Sequence, residues 1–541
     1  NRDVRGRAVI DRTHSDESPC QLNSLLDILS IYDVVDEIQS EDEFFINLFD
    51  DTHMIHSLFQ VIIDGTKEHN NVSLFYPQIC TDILSCLPDS FIQDICSNDD
   101  LMDTFFQIPL SGGIRTANCF CQITERFVVS ASSVLFPYLQ SHASSVIDLL
   151  LSHIHLSSYL NALRYLLDIP TIDSACWWGD SSSFLSAVLD CLSDPLRSFN
   201  TKEFLLSIIQ RATTCVPNEL PKSSLYLLSA LFTESSLDHI TRILIESLQQ
   251  TCELFSSYRD KTYALSDDGW MHHCVNGPAE ICNNCFVVLA RLFCRRSTGL
   301  WTGRGGYNTS FNSPVISVPE LQEMGGVRKR SWIQLLAKRC LAVFNRVQSL
   351  MRSLTKHYSR IHRDGVLAAM VPKPFVGYYE FVYEFVHRQC EPSLLYHLIV
   401  DGFVDDMLAI MLAFPSVTYI LISSVDILIS FIYSNDKEVW TLFFSQTSIL
   451  SFTYRVLSTP SLSPLKSQLC IFLQAIAAYS QCEVKTITSA IIIPESVEDA
   501  GEQASESSSD LLVLLESYPE FMKITQLVDI FHIFEPLVSF S

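Results

Sequence analysis

The stretch FYPQICTDILSCLPDSFIQDICSNDDLMDTFF, residues 75–106, decides how the rest of the chain is read. Its apolar residues recur at the spacing of a helix face, Pro77 and Pro88 interrupt them, and Cys80, Cys86 and Cys96 lie among them. No residue in it has the company that catalysis needs. The expectation is that the prolines end helices while the cysteines and leucines fill a core.

Working outward, the same style fills most of the 541 residues. EFFINLFDDTHMIHSLFQVIID brings Phe45, Leu48 and Phe49, then Ile55, Leu58, Phe59 and Ile62, onto a helical stripe. SSVIDLLLSHIHLSSYLNALRYLLDIP and SPLKSQLCIFLQAIAAYSQ repeat it. Hairpin dipeptides between alternating runs are almost missing, so the fold class is all-α. Helices of this size joined by short breaks over hundreds of residues suggest an irregular HEAT/armadillo-like α-solenoid, with a compact α-bundle as the alternative.

Composition shifts mark the segments. Residues 1–20 read as a disordered N-terminal segment, 21–296 and 331–493 as the two helical halves, and the Gly/Ser/Asn-rich 297–330 as a loop or insertion. PESVEDAGEQASESSSD, residues 494–510, is acidic and without apolar pattern, hence a disordered linker to a terminal helical segment, 511–541.

The formal charge of −25 disfavours nucleic acid and anionic membranes as partners. The charge is uneven: Arg295 to Arg363 holds thirteen Lys/Arg against two acids, a net +11, which leaves −36 for the remainder. Within that segment Arg352, Lys356, Arg360 and Arg363 fall at helical spacing along one face, the candidate contact surface for an acidic partner; a merely solvated face is the alternative.

Eighteen cysteines, mostly inside apolar runs, point to reduced thiols and a cytoplasmic location, with the nucleus also open. The opening NRDVRGRAVIDR shows no signal peptide. VTYILISSVDILISFIY, 417–433, carries Asp426 and falls short of the roughly 20 apolar residues of a membrane span, so it reads as a buried helix and membrane insertion is not expected.

Motifs for chemistry are incomplete. His272, His273, Cys274, Cys282 and Cys285 include one C-x-x-C pair but not the second chelating pair of a structural zinc site, and Cys282 and Cys285 share a stripe with Leu289 and Leu292. IHRDG, 361–365, resembles a kinase catalytic loop but has Ala369 where the magnesium-binding Asn belongs. GRGG, 303–306, lacks the end of a P-loop. No catalytic, cofactor or metal residue is therefore assigned, and the chain reads as non-enzymatic.

Several blocks resemble the SAPS family, the regulatory subunits of protein phosphatase 6. VVDEIQSEDEFFINLFDDTHMIHSLFQVII looks like the family's early block. YPQICTDILSC places Tyr76, Pro77, Asp82, Leu84 and Cys86 on its next pattern, and LSHIHLSSYLNALRYL keeps His153, Ile154, Leu163 and Leu166. MVPKPFVGYYEFVYEFV, FVDDMLAIMLAFPSVTYILISSVDILISFI and LCIFLQAIAAYSQ, with Gln474, resemble the later helices. Together they span 34–170 and 366–480. Departures are Tyr165 in place of the family Arg, no Arg following Gly377, and Pro415-Ser416-Val417 at the family's WNN step.

The resemblance implies a solenoid that holds a protein phosphatase 6-like catalytic subunit and directs it to substrates, in an assembly that includes an ankyrin-repeat subunit. It also implies that the two catalytic metal ions belong to the other chain, so no cofactor is expected in this one. A generic α-solenoid scaffold in trafficking or transport would share the helices without binding a phosphatase.

Overall fold

A computed structural model describes residues 25–29, 34–40, 46–64, 75–111, 113–170, 176–214, 222–231, 233–257, 277–293, 343–356, 373–389, 392–434, 436–459, 462–481, 511 and 513–527. These are overwhelmingly α-helical, with no strand among the described residues. The expected breaks at 1–20, 297–330 and 494–510 lie outside them.

The described residues form two compact units, one reaching Ser236 and one starting at Leu237. This division lies inside helix Glu234–Ser257. The contacts give the reason. Thr251 Oγ1 lies 3.7 Å from Cys282 Sγ, and the Cys252 thiol reaches the Leu350 carbonyl at 3.4 Å. The greater part of helix Glu234–Ser257 therefore belongs with the helices later in the chain.

In the first unit, helix Tyr76–Cys86 packs on Val34–Gln39, Thr52–Asp64 and Ile114–Ser141. Pro77 does not end a helix: it occupies the first turn, where a missing N–H costs no bond. Pro88 both follows that helix and precedes Asp89–Ser97 as its N-cap. Asn98 caps the next helix, Asp99–Phe105, by accepting from the Leu101 N–H at 3.2 Å. Helix Ile114–Ser141 bends at Ala131 (φ −139°), six residues before the internal Pro137.

Beneath these helices Phe105 stacks on Phe120 at 4.7 Å and meets Phe59 and Phe127 at 5.8 and 5.0 Å. All four rings are buried. Each contributes about 1.5–3 kcal/mol by leaving water. Helix Ser157–Leu167 packs on Ile114–Ser141 and on Ser198–Thr214. Its far end is closed by Trp177, whose indole N–H donates to the Leu166 carbonyl at 2.9 Å.

In the second unit four helices stack in order. Pro278–Phe293 packs on Lys373–Gln389, that on Thr418–Ile432, and that on Ser463–Gln481. Beside them Pro392–Val400 meets Lys437–Gln446, and Phe403–Ala413 meets Ile449–Ser458, which meets Pro519–Leu527. Equivalent helices start at 373, 418 and 463, a step of 45 residues.

The apolar run at 417–433 is helix Thr418–Ile432, 15 residues long, with ten of them buried against its neighbours. No helix among the described residues is long and apolar enough to cross a membrane. Gly377 lies where the first two of the four stacked helices approach closely. A β-carbon there would stand 2.8 Å from the Asn283 carbonyl oxygen and 3.0 Å from Phe286 Cβ.

Candidate functional site

Of the four basic residues singled out from sequence, Arg352 and Lys356 lie on the described helix 343–356, and Arg360 and Arg363 lie outside the described residues. Arg352 and Lys356 are exposed one turn apart, as their spacing requires. The opposite side of the helix is anchored by Phe344, Val347, Met351 and Leu354, all buried.

Arg352 has an intramolecular partner. Its Nε and Nη2 donate to the two carboxylate oxygens of Asp406, each at 2.6 Å, in the bidentate geometry that suits a guanidinium. Gln348, one turn earlier, donates to Asp406 Oδ2 at 2.8 Å and to the Asp401 carbonyl at 3.2 Å. Asp406 raises the already high pKa of Arg352 by accepting these bonds. The Arg352 side chain is still 44 % exposed, which keeps the pair's contribution to about 1 kcal/mol. Lys356, like Arg346 two turns and more before it, is exposed and makes no ion pair among the described residues.

The acid that binds Arg352 has a neighbour with a different task. Asp405 and Asp406 sit in the first turn of helix Phe403–Ala413, where the helix dipole favours negative charge. Asp406 reaches back to Arg352, 54 residues earlier, while Asp405 Oδ1 accepts from the backbone N–H and hydroxyl of Ser448, 43 residues later. Gly402, at φ +76°, supplies the left-handed turn that brings these acids into place. Sequence reasoning did not find Asp405 and Asp406, because nothing local in FVDDML says which distant donors they meet.

Under the Arg352–Asp406 pair lie Tyr378 and Tyr379, fully enclosed, with burial pushing both phenols up. The void between them and Met407 is about 10 Å³, room for one water at most. The arrangement is a strut between helices, with no substrate cavity in it.

Cys282 and Cys285 are buried, as are Leu289 and Leu292 of the same stripe. Burial pushes the Cys285 thiol up to about 12 and raises the Cys282 thiol as well. Among the described residues no cluster of His, Cys, Asp or Glu is placed to hold a metal ion. His272, His273, Cys274, IHRDG and GRGG fall outside them.

These thiols predict an alkaline weakness. Cys96 and Cys285 are pushed up to about 12, whereas an unfolded thiol ionises near about 8.5. The unfolded chain therefore sheds protons that the folded chain keeps, so the stabilisation is complete below pH 8.5 and is lost as pH rises toward 12. Raising pH from 7.5 to 9.5 should cost about 1 kcal/mol for each such thiol, seen as a lower urea midpoint. An unchanged midpoint would contradict their place in the core.

No family model matches this chain, and no curated protein sequence does. The likeness to the SAPS family rests on the quoted blocks. On the fold, Pro77 and Leu84 mark the start and the buried face of helix Tyr76–Cys86, and Asp82 Oδ1 accepts from Gln78 and from Gln122 of the neighbouring helix at 2.8 and 3.2 Å. Ile154, Leu163 and Leu166 are buried. Tyr165 adjoins Arg164, whose guanidinium donates to the Glu203 carbonyl at 3.0 Å.

Proposed function

We propose that the chain is a non-catalytic scaffold subunit that holds a protein phosphatase 6-like catalytic subunit and brings substrates to it. Each of its units is read as an irregular α-solenoid of the HEAT/armadillo kind. The observation that carries this reading is the stacking of equivalent helices at a 45-residue step, 373 to 418 to 463, inside a region that resembles the SAPS blocks. Asp405 and Asp406 add side-chain ties to the helices before and after them.

A scaffold of this kind acts by proximity. A substrate docked beside the active site meets it at an effective concentration set by geometry, with the hydrolytic step unchanged. The metal ions and the attacking water belong to the catalytic subunit, and an ankyrin-repeat subunit completes the assembly.

The direct test is co-purification of the full chain with a purified protein phosphatase 6-like catalytic subunit on size-exclusion chromatography. Co-elution at a fixed ratio is expected. Separate elution at micromolar concentrations of both would leave a generic helical scaffold as the better reading.

Two variants locate the contact. Deleting 494–510 should leave binding within a few fold, since that segment has no apolar anchor. Reversing Lys356, Arg360 and Arg363 to Glu, with Arg352 left in its pair, should cost about 0.2–1 kcal/mol per charge and less at high salt. Binding that is unchanged by the reversal would make this a solvated face.

A further inference from the structure

Four Ser or Thr residues of the chain are followed directly by proline: Ser18, Ser313, Thr459 and Ser463. The first two lie outside the described residues. The other two stand at the ends of one short connection, where helix Ile449–Ser458 gives way to Ser463–Gln481. The scaffold reading makes no use of this concentration of Ser/Thr-Pro dipeptides.

Thr459 has the backbone that a protein kinase needs in its acceptor, an extended segment that lies in the cleft. It follows the last residue of helix Ile449–Ser458 and stands at φ −91°, ψ 118°. Pro460 enforces this, because its ring clashes with a helical residue ahead of it. Proline also removes the N–H that any other residue would present just after the acceptor. A kinase cleft that offers that N–H no partner penalises every residue except proline, so the dipeptide selects one class of enzyme.

The setting suits modification. Thr459 is half-buried, while Ser451, Arg455 and Ser458 form an exposed stripe leading up to it and Pro464 is exposed beyond it. Its hydroxyl donates to the Arg455 carbonyl at 2.7 Å. That carbonyl also accepts from the Ser458 hydroxyl at 3.0 Å, so it keeps a partner when the Thr459 oxygen is used elsewhere. The Arg455 side chain, four residues earlier, has the helical spacing to meet a phosphate on Thr459.

We propose that Thr459 is a phosphorylation site for a proline-directed serine/threonine kinase. MgATP supplies the phosphoryl group. A bond forms between Thr459 Oγ1 and the γ-phosphorus, the bond from that phosphorus to the β–γ bridging oxygen breaks, ADP leaves, and the hydroxyl proton passes to the kinase's catalytic carboxylate. The product carries about 1.5–2 negative charges at pH 7 at the negative end of helix Ile449–Ser458, offset by Arg455. Phosphatase binding enters neither the proposal nor its test.

The folded full chain is incubated with MgATP and purified proline-directed kinases, one cyclin-dependent and one mitogen-activated, and phosphate is mapped by peptide mass spectrometry. Phosphate on residue 459 is expected from at least one of them, in the parent and in Thr459→Ser. Pro460→Ala keeps the hydroxyl and loses the determinant, so at equal helical circular dichroism the rate at Thr459 should fall about tenfold or more. Three results would overturn the proposal: phosphate confined to Ser18, Ser313 or Ser463, a Thr459 rate unchanged by Pro460→Ala, or phosphate on Thr459 in the heat-unfolded chain alone.

Discussion

Gly377→Val is expected to destabilise the second unit by about 3 kcal/mol, the upper end of the usual cost of overpacking. Helices Lys373–Gln389 and Pro278–Phe293 meet where Gly377 faces the Asn283 backbone, and a β-carbon would lie 2.8 Å from that carbonyl oxygen. The obstacle is main chain and cannot rotate aside. Relief requires one helix to move, which would open the Phe286–Tyr378 and Phe286–Phe381 contacts at 5.5 and 5.8 Å.

Gly377→Ala separates this account from ordinary helix propensity. Ala gains roughly 1 kcal/mol over Gly in an unobstructed helix. Here it should still lose about 1–2 kcal/mol in a denaturant titration. A stabilised Gly377→Ala protein would show that the two helices are not in close contact.

Trp177→Ala is the second large effect, about 3–5 kcal/mol from the first unit. Trp177 is 1 % exposed, and its ring meets Trp178 edge-on at 5.7 Å, which in turn meets Phe184 at 5.7 Å. Truncation empties the space at the end of helix Ser157–Leu167 and removes the N–H bond to Leu166. Trp177→Phe keeps most of the ring and loses that bond, so it should cost distinctly less. If the two variants lose the same amount, the hydrogen bond dominates and the packing account fails.

Helical character was legible because a 3.6-residue period is a local property, written into every run from 45 to 62 and from 463 to 481. Asp426 and the short length of 417–433 were enough to read it as a buried helix, and ten of the residues of Thr418–Ile432 are buried. Position relative to a proline was less legible. Pro77 marks a discontinuity, yet the same ring that breaks a helix interior suits a first turn, so sequence alone misplaced it.

The candidate site was half legible for a similar reason. Helical spacing put Arg352 and Lys356 on one face, and both are exposed there. What Arg352 does was hidden, because its partner lies 54 residues away. Gly377 stood out only as the glycine of a family-like block. Its reason became visible once Asn283 was placed against it.

Helix 343–356 is tied on several sides by atoms remote in sequence: Asp406 through Arg352, the Asp401 carbonyl through Gln348, and Cys252 through the Leu350 carbonyl. Phe344 adds ring contacts to Phe385 and Phe403 at 6.2 and 5.8 Å. Peptide connectivity is thus a minor part of what keeps the helix in its seat. A protease cut between 356 and 373 would leave two fragments that stay together under native conditions and part only in denaturant. The same join offers a place to divide the gene into two separately expressed pieces that reassemble.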